Sequence, residues 1–231
     1  MTITEGTVKS MVSSKAVRSQ VLAAIKSAVQ NQPKSNISFI KSEDSSSKKV
    51  ASTKRCQPQE LVAQFVSVVE DYKAVTEIVR ANQISDKLSG IISGCPIRRL
   101  VVPSGINPAW ITDLEGIEVI KDDGLMSVQQ LAQFDGVITG SSYALASSGT
   151  IVLTSAPSEG RRALSLLPDY HFCVVDAENI LARALDLFAV YKSDSPLTLI
   201  SGPSATSDIE LSRVEGVHGP RNLFVLVVWD G

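Results

Sequence analysis

The sequence predicts a layered α/β/α domain built on a largely parallel sheet. Two observations carry this expectation. Short apolar runs such as Leu100-Val101-Val102, Val137-Ile138 and Phe224 to Val228 read as strands buried on both faces. Between them lie stretches with helical spacing or Gly/Pro punctuation, so strands alternate with crossover segments rather than with tight hairpins.

The elements follow in order. Ser13-Ser14 can cap a helix to about Gln30, with Val17, Val21, Leu22, Ile25 and Val29 along one face. Asn31 to Arg55 is rich in Ser and Lys and poor in apolar groups, which predicts a flexible linker. The domain division is therefore 1–55, an N-terminal helix and basic Ser-rich linker, and 56–231, the α/β domain.

Pro58 suits a first helical turn, and Leu61, Val62, Phe65, Val66, Val69 and Tyr72 predict a helix to about Arg80. A second helix is expected over 85–92, a strand over 98–103, a short helix over 107–114 and a strand over 117–121. Then follow a helix over 127–134 and strands over 136–139, 150–154 and 171–175. A helix over 177–191 and strands over 197–200 and 223–228 complete the set.

Composition narrows the function classes. The 231 residues are 44% hydrophobic, as in a soluble globular chain, and no apolar run is long enough to span a bilayer. The N-terminus lacks a signal peptide's apolar core, so a cytoplasmic location is expected. The net charge of -2 hides a basic leader: residues 1–55 hold ten Lys and Arg against three Asp and Glu. These charges are scattered and have no aromatic interleaving, so a solvated tail is expected and nucleic acid is not. Cys56, Cys95 and Cys173 form neither a disulfide framework nor a metal knuckle. They are one short of the four thiolates of a typical iron–sulfur cluster, so no cofactor is expected on this chain.

Three segments could carry chemistry. Gly140 through Thr150 is a small-residue loop, including Ser147 and Gly149, that either admits an anion to the backbone or merely connects two strands. Its spacing is neither that of a phosphate-binding Walker loop nor that of a dinucleotide fingerprint. In the second segment, Glu159 and Arg161 leave a strand's C-terminal end, where open α/β sheets bind ligands; a surface ion pair is the plain alternative. The third runs from Ser201-Gly202-Pro203-Ser204 through Asp208 and Glu210 to His218-Gly219-Pro220. Asp208, Glu210 and His218 are the catalytic candidates there, His218 because imidazole titrates near neutrality. Nothing fixes a metal geometry among them, so no metal site is expected.

Together these segments resemble the lactate-utilisation (LUD) domain family. The resemblance rests on Val137 to Gly140 and Ser148-Gly149-Thr150, on Leu166-Leu167-Pro168 with Cys173-Val174-Val175, and on the closing stretches Gly202 to Glu210 and Gly216 to Pro220. It covers about residues 58 to 229. It implies a fold similar to that of sugar-phosphate isomerases and coenzyme A transferases. It also implies an accessory subunit in the oxidation of L-lactate to pyruvate, with iron–sulfur clusters held by partner proteins. The alternatives are a free-standing enzyme, resting on the small-residue loops and Arg161, or a sensor, binding a small organic anion, a phosphorylated sugar or a coenzyme A-linked substrate. Ligand-binding positions carried over or read from the loops are Gly140, Ser147, Gly149, Thr150, Glu159, Arg161, Gly202, Pro203, Ser204 and Gly219. The chain departs from the family where acids are frequent, placing Ser142 and Ser147 there.

Overall fold

The computed structural model describes Ala23 and residues 57–193, 195–206, 214–215 and 219–230. The chain divides into two units, residues 1–52 and 53–231, and all described residues except Ala23 belong to the second. The expected N-terminal helix and linker therefore lie outside the described residues, apart from Ala23, which is helical and exposed.

The expected parallel α/β architecture is present. Six strands form one sheet: β1 (Val75–Val79), β2 (Arg99–Pro103), β3 (Glu118–Asp122), β4 (Gly136–Thr139), β7 (Tyr170–Asp176) and β12 (Asn222–Val228). Their order is β1-β12-β7-β4-β2-β3 and every pairing is parallel. Burial on both faces explains the continuous apolar runs: all of β4 is buried and only Arg99 of β2 is not.

One face is covered by α2 (Ile84–Ser93), whose Ile84, Leu88 and Ile92 recur at helical spacing against Leu100, Val102, Ile138, Phe172 and Leu226. Phe172 and Phe224 stack across the strands with ring centroids 5.1 Å apart. The other face carries α1 (Pro58–Asp71), which buries Val62, Phe65 and Val69 against Cys173, Val175, Val225 and Val227. Glu60 reaches back to accept from the amide of Gln57, and Pro58 has no amide to leave unsatisfied.

Beside α1 lies a second sheet, in the order β8-β5-β6-β9: β5 (Tyr143–Leu145), β6 (Thr150–Leu153), β8 (Ile180–Leu181) and β9 (Thr198–Ile200). The helix α4 (Ala184–Val190) packs on it through Leu187, against Leu145 and Val152. The short helix α3 (Val128–Leu131) inserts Leu131 beside Val101, Val137 and Leu164. A two-stranded antiparallel ribbon, β10 (Ala205–Thr206) with β11 (Val214–Glu215), precedes β12.

Several boundaries differ from the periodicity reading. The first helix stops at Asp71, because Lys73 turns to φ 68°, and residues 75–79 form edge strand β1 instead of a helical extension. Their β-branched Val75, Thr76, Ile78 and Val79 favour extended backbone once a partner strand is supplied, and β12 supplies it. Similarly, 177–191 is not one helix but a 3-10 turn at Ala177–Asn179, then β8, then α4. The expected helix over 107–114 reduces to a 3-10 turn at Pro108–Trp110.

Candidate functional site

Parallel strands deliver all six C-terminal ends to one edge. From β2 the chain steps outward to β3, whereas from β4 it steps the other way to β7 and then β12. Successive connections therefore leave on opposite sides between β2 and β4, and open α/β sheets hold ligands in the crevice outside such a switch point.

A loop already lies over that gap. The amide of Gly105, just past β2, donates to the Pro157 carbonyl at 3.0 Å, and the amide of Gly140, just past β4, donates to the Ser158 carbonyl at 2.9 Å. Glu159 fastens the loop. It is 1% exposed, and its Oε2 accepts from the amides of Thr154 (2.6 Å) and Ala156 (2.9 Å). Its Oε1 accepts from the Ser142 hydroxyl at 2.6 Å. The loop opens at Ser155 with φ 63°, a left-handed conformation that costs a side-chain-bearing residue roughly 1–2 kcal/mol. Both carboxylate oxygens are thus engaged by the protein, so Glu159 organises the loop. Ser142 contributes to that clasp.

Arg161 is likewise engaged internally. Its Nε and Nη2 donate to the two oxygens of buried Asp122 at 2.8 and 3.1 Å, and Nη2 also donates to the Met126 carbonyl at 2.6 Å. The hydrogen bond to Asp122 raises the Arg161 pKa above its ordinary value. This fork ties the segment after Gly160 to the end of β3.

A separate cluster joins the first loop to the closing segment. The Thr150 hydroxyl lies 2.7 Å from that of Ser148 and 2.8 Å from that of Ser201. Gly149 (φ 56°) and Gly202 (φ 82°) both press on the last turn of α1. A Cβ on Gly149 would stand 3.0 Å from Val68, and one on Gly202 would stand 2.5 Å from the Tyr72 Cβ. Glycine is required at both positions because helix and loop meet there with no room for a side chain. Ser147 donates its amide to the Ala182 carbonyl at 3.1 Å, and Ser204 donates to Pro220 at 2.8 Å. Pro203 is half-buried in the same turn, as is Gly219 beside Ser204. The ligand-binding candidates thus fall in three places. Gly140 and Glu159 lie at the switch point, Arg161 beside β3, and Gly149, Thr150 and Gly202 beneath α1. Asp208, Glu210 and His218 lie outside the described residues.

Beneath Gly140 a buried polar line runs across the sheet. Thr139 Oγ1 lies 2.8 Å from His171 Nε2 and 3.7 Å from Cys173 Sγ. Desolvation lowers His171 to about 4 and raises Cys173 to about 12. Both side chains are fully buried within the sheet, away from any substrate at its edge.

The open part of the edge is a crevice of about 370 Å³ between the switch point and the ends of β7 and β12. Trp110, Asn107, Ser141, Ser158, Asp176 and Asn179 supply its aromatic and polar lining. Periodicity does not single these residues out. Their shared signal is position: Asp176 ends β7, while Ser141 and Ser158 follow strands by two and five residues. Among the described residues no group of His, Cys, Asp and Glu could hold a metal, and no helix is long and apolar enough to cross a membrane.

Comparison with known proteins adds the relatives. The LUD domain matches over residues 106–228. Lactate utilization protein C of Deinococcus radiodurans is 41% identical over 173 residues, covering 73% of this chain and 80% of that protein. Lactate utilization protein C of Bacillus subtilis is 32% identical over 136 residues, and the match spans 53% of its length. The crystal structure of a DUF162 family protein from Deinococcus radiodurans superposes with a TM-score of 0.63 at 32% identity, covering 75% of this chain and 99% of that one.

Proposed function

This chain belongs to the LUD domain family, and from that membership we propose that it serves L-lactate utilisation as an accessory subunit. In this reading it acts in the cytoplasm beside iron–sulfur partner proteins that carry the electrons from lactate. One observation carries the proposal: 41% identity, sustained over 173 residues, to a protein named for lactate utilization.

The site chemistry supports an accessory role. Glu159, the carboxylate a coenzyme A transferase would use as nucleophile, has both oxygens engaged by the chain's own groups, and Arg161, a candidate anion grip, spends Nε and Nη2 on Asp122 and the Met126 carbonyl. A carboxylate nucleophile needs a free oxygen facing substrate, and Glu159 has both oxygens in a clasp. With three cysteines, the chain is also short of the thiolates that a cluster normally takes.

Complementation tests the role. A Bacillus subtilis strain lacking its own lactate utilization protein C should regain growth on L-lactate when this chain is expressed, and tagged chain should co-purify iron-containing proteins. Failure to restore growth at normal expression, with no iron in the purified fraction, would remove the proposal.

A further inference from the structure

We propose that the outer face of the second sheet, formed by α4 and β9, is the interface at which two copies of this chain pair about a twofold axis. The face is separate from the switch point and plays no part in the lactate reading.

The first argument is incomplete cover. Directly paired residues share a face of a sheet. Leu181 pairs with Leu145, Tyr143 with Val152, and Val152 with Leu199, so these side chains form one apolar face of the second sheet. Ala144, Ile151, Leu153 and Ile200 alternate with them and pack on the side of α1. The 14 residues of α1 make a helix about 21 Å long. The 7 residues of α4 reach about 10 Å, and its width is about the same, whereas four strands span about 14 Å. Leu187 of α4 therefore covers Leu145 and Val152, but Leu199 on the edge strand stays 57% exposed.

The second argument is the composition of α4. It reads Ala-Leu-Asp-Leu-Phe-Ala-Val, and its one polar residue, Asp186, caps the Arg183 amide at 3.0 Å. A helix at a solvated surface keeps a polar outer face, and one that is apolar all round is a buried helix. Leu187 faces the sheet, yet Leu185, Phe188 and Val190 remain 72%, 61% and 50% exposed.

The third argument is charge, and it selects a second copy as the occupant. Asp186, 3.6 Å from Arg183 Nε, marks one end of the face. Lys192 marks the other, its Nζ donating to the Phe188 carbonyl at 3.0 Å. With these charges held at the ends, the apolar centre can lose its water without stranding an ion. A half turn that sets α4 antiparallel to its copy, with exposed Ala189 on the axis, brings each Phe188 against the other copy's Val190. The same operation brings each Lys192 towards the other copy's Asp186. A small residue at the crossing lets the two helices approach closely. A stable dimer buries about 800 Å² per partner, so the half-buried rim of Tyr143, Leu181, Tyr191 and Leu197 belongs to the contact as well.

Analytical ultracentrifugation of the full chain should show a dimer at micromolar concentration. Phe188→Glu puts a charge at the centre of the contact and should weaken pairing about thirtyfold or more, as loss of a buried aromatic anchor does. Leu199→Lys, on a different element, should act in the same direction, and far-UV circular dichroism shows which variants are folded. In a Cys56→Ser, Cys95→Ser background, Ala189→Cys should give a disulfide-linked dimer under mild oxidation. Ala132→Cys, exposed beside α3, should stay a single chain on a non-reducing gel. The proposal is overturned if the parent sediments as a monomer, whatever else it binds. It is equally overturned if a folded charge variant pairs as tightly as the parent, if Ala189→Cys fails to cross-link, or if Ala132→Cys cross-links as readily.

Discussion

A Cβ placed on Gly105 would stand 2.4 Å from the Cβ of Pro157, so the turn after β2 and the loop after β6 meet with no space for one methyl group. That contact, with the Gly105 amide donating to the Pro157 carbonyl, seats the 155–160 loop on the switch point of the sheet.

Gly105→Ala should therefore displace the loop. Overpacking of this kind costs about 1–3 kcal/mol, and the loss should register as a lower urea midpoint with an unchanged slope. An unshifted midpoint would show that the loop moves freely and is not seated by this contact.

The Glu159 clasp predicts a graded pair of variants. Glu159→Ala leaves the Thr154 and Ala156 amides without their acceptor and should cost about 2–4 kcal/mol. Glu159→Gln retains one acceptor oxygen and should cost less than half as much. Equal losses in the two variants, read from chemical denaturation, would point to side-chain volume rather than hydrogen bonding.

Ser155 bears the strain that the clasp enforces, with φ 63°. Ser155→Gly removes the Cβ clash but adds unfolded-state freedom, so a net gain of about 0.5 kcal/mol is expected. Ser155→Val, β-branched at a left-handed position, should instead destabilise by more than 1 kcal/mol on the same scale. Thermal melts of the two variants should move in opposite directions.

His171 makes stability depend on pH. Burial lowers its pKa to about 4 from the ordinary 6.5, so between those values the unfolded chain binds a proton that the folded chain refuses. Stability contributed by the neutral imidazole is present above pH 6.5 and is lost as pH falls towards 4. At 1.36 kcal/mol per unit, the loss approaches about 3 kcal/mol. His171→Gln can keep a hydrogen bond to Thr139 and should flatten this part of the profile. A variant profile that still falls as steeply between pH 6.5 and 4 would assign the effect to other groups.

Arg161→Lys should separate the fork from the charge. Lysine keeps the positive charge near buried Asp122 but cannot make the paired bonds or reach the Met126 carbonyl in the same geometry. The expected cost is about 1–2 kcal/mol, kept small because Arg161 is about a third exposed. Arg161→Ala should cost more, since it leaves the Asp122 carboxylate, 5% exposed, without its cation.

Fold class and family are legible in the order of the residues. Strands buried on both faces must be apolar throughout, so Leu100 to Val102, Val137-Ile138 and Phe224 to Val228 declare a covered parallel sheet before any contact is known. The sequence also drew attention to Gly149 and Gly202, but as ligand-binding positions, whereas both pack against the end of α1.

Tertiary structure alone decided what those glycines touch and where the open site lies. Val75–Val79 becomes a strand only because Val75 pairs with Phe224, a partner remote in sequence and invisible to local periodicity. Glu159 looks like a free acid in the sequence until Ser142, Thr154 and Ala156 close around it. Trp110, Ser158, Asp176 and Asn179 share no spacing, and they become one crevice because parallel strands bring their C-terminal ends to a common edge. Periodicity records which face of an element is buried. Convergence of side chains from distant elements is set by strand order, which local sequence does not encode.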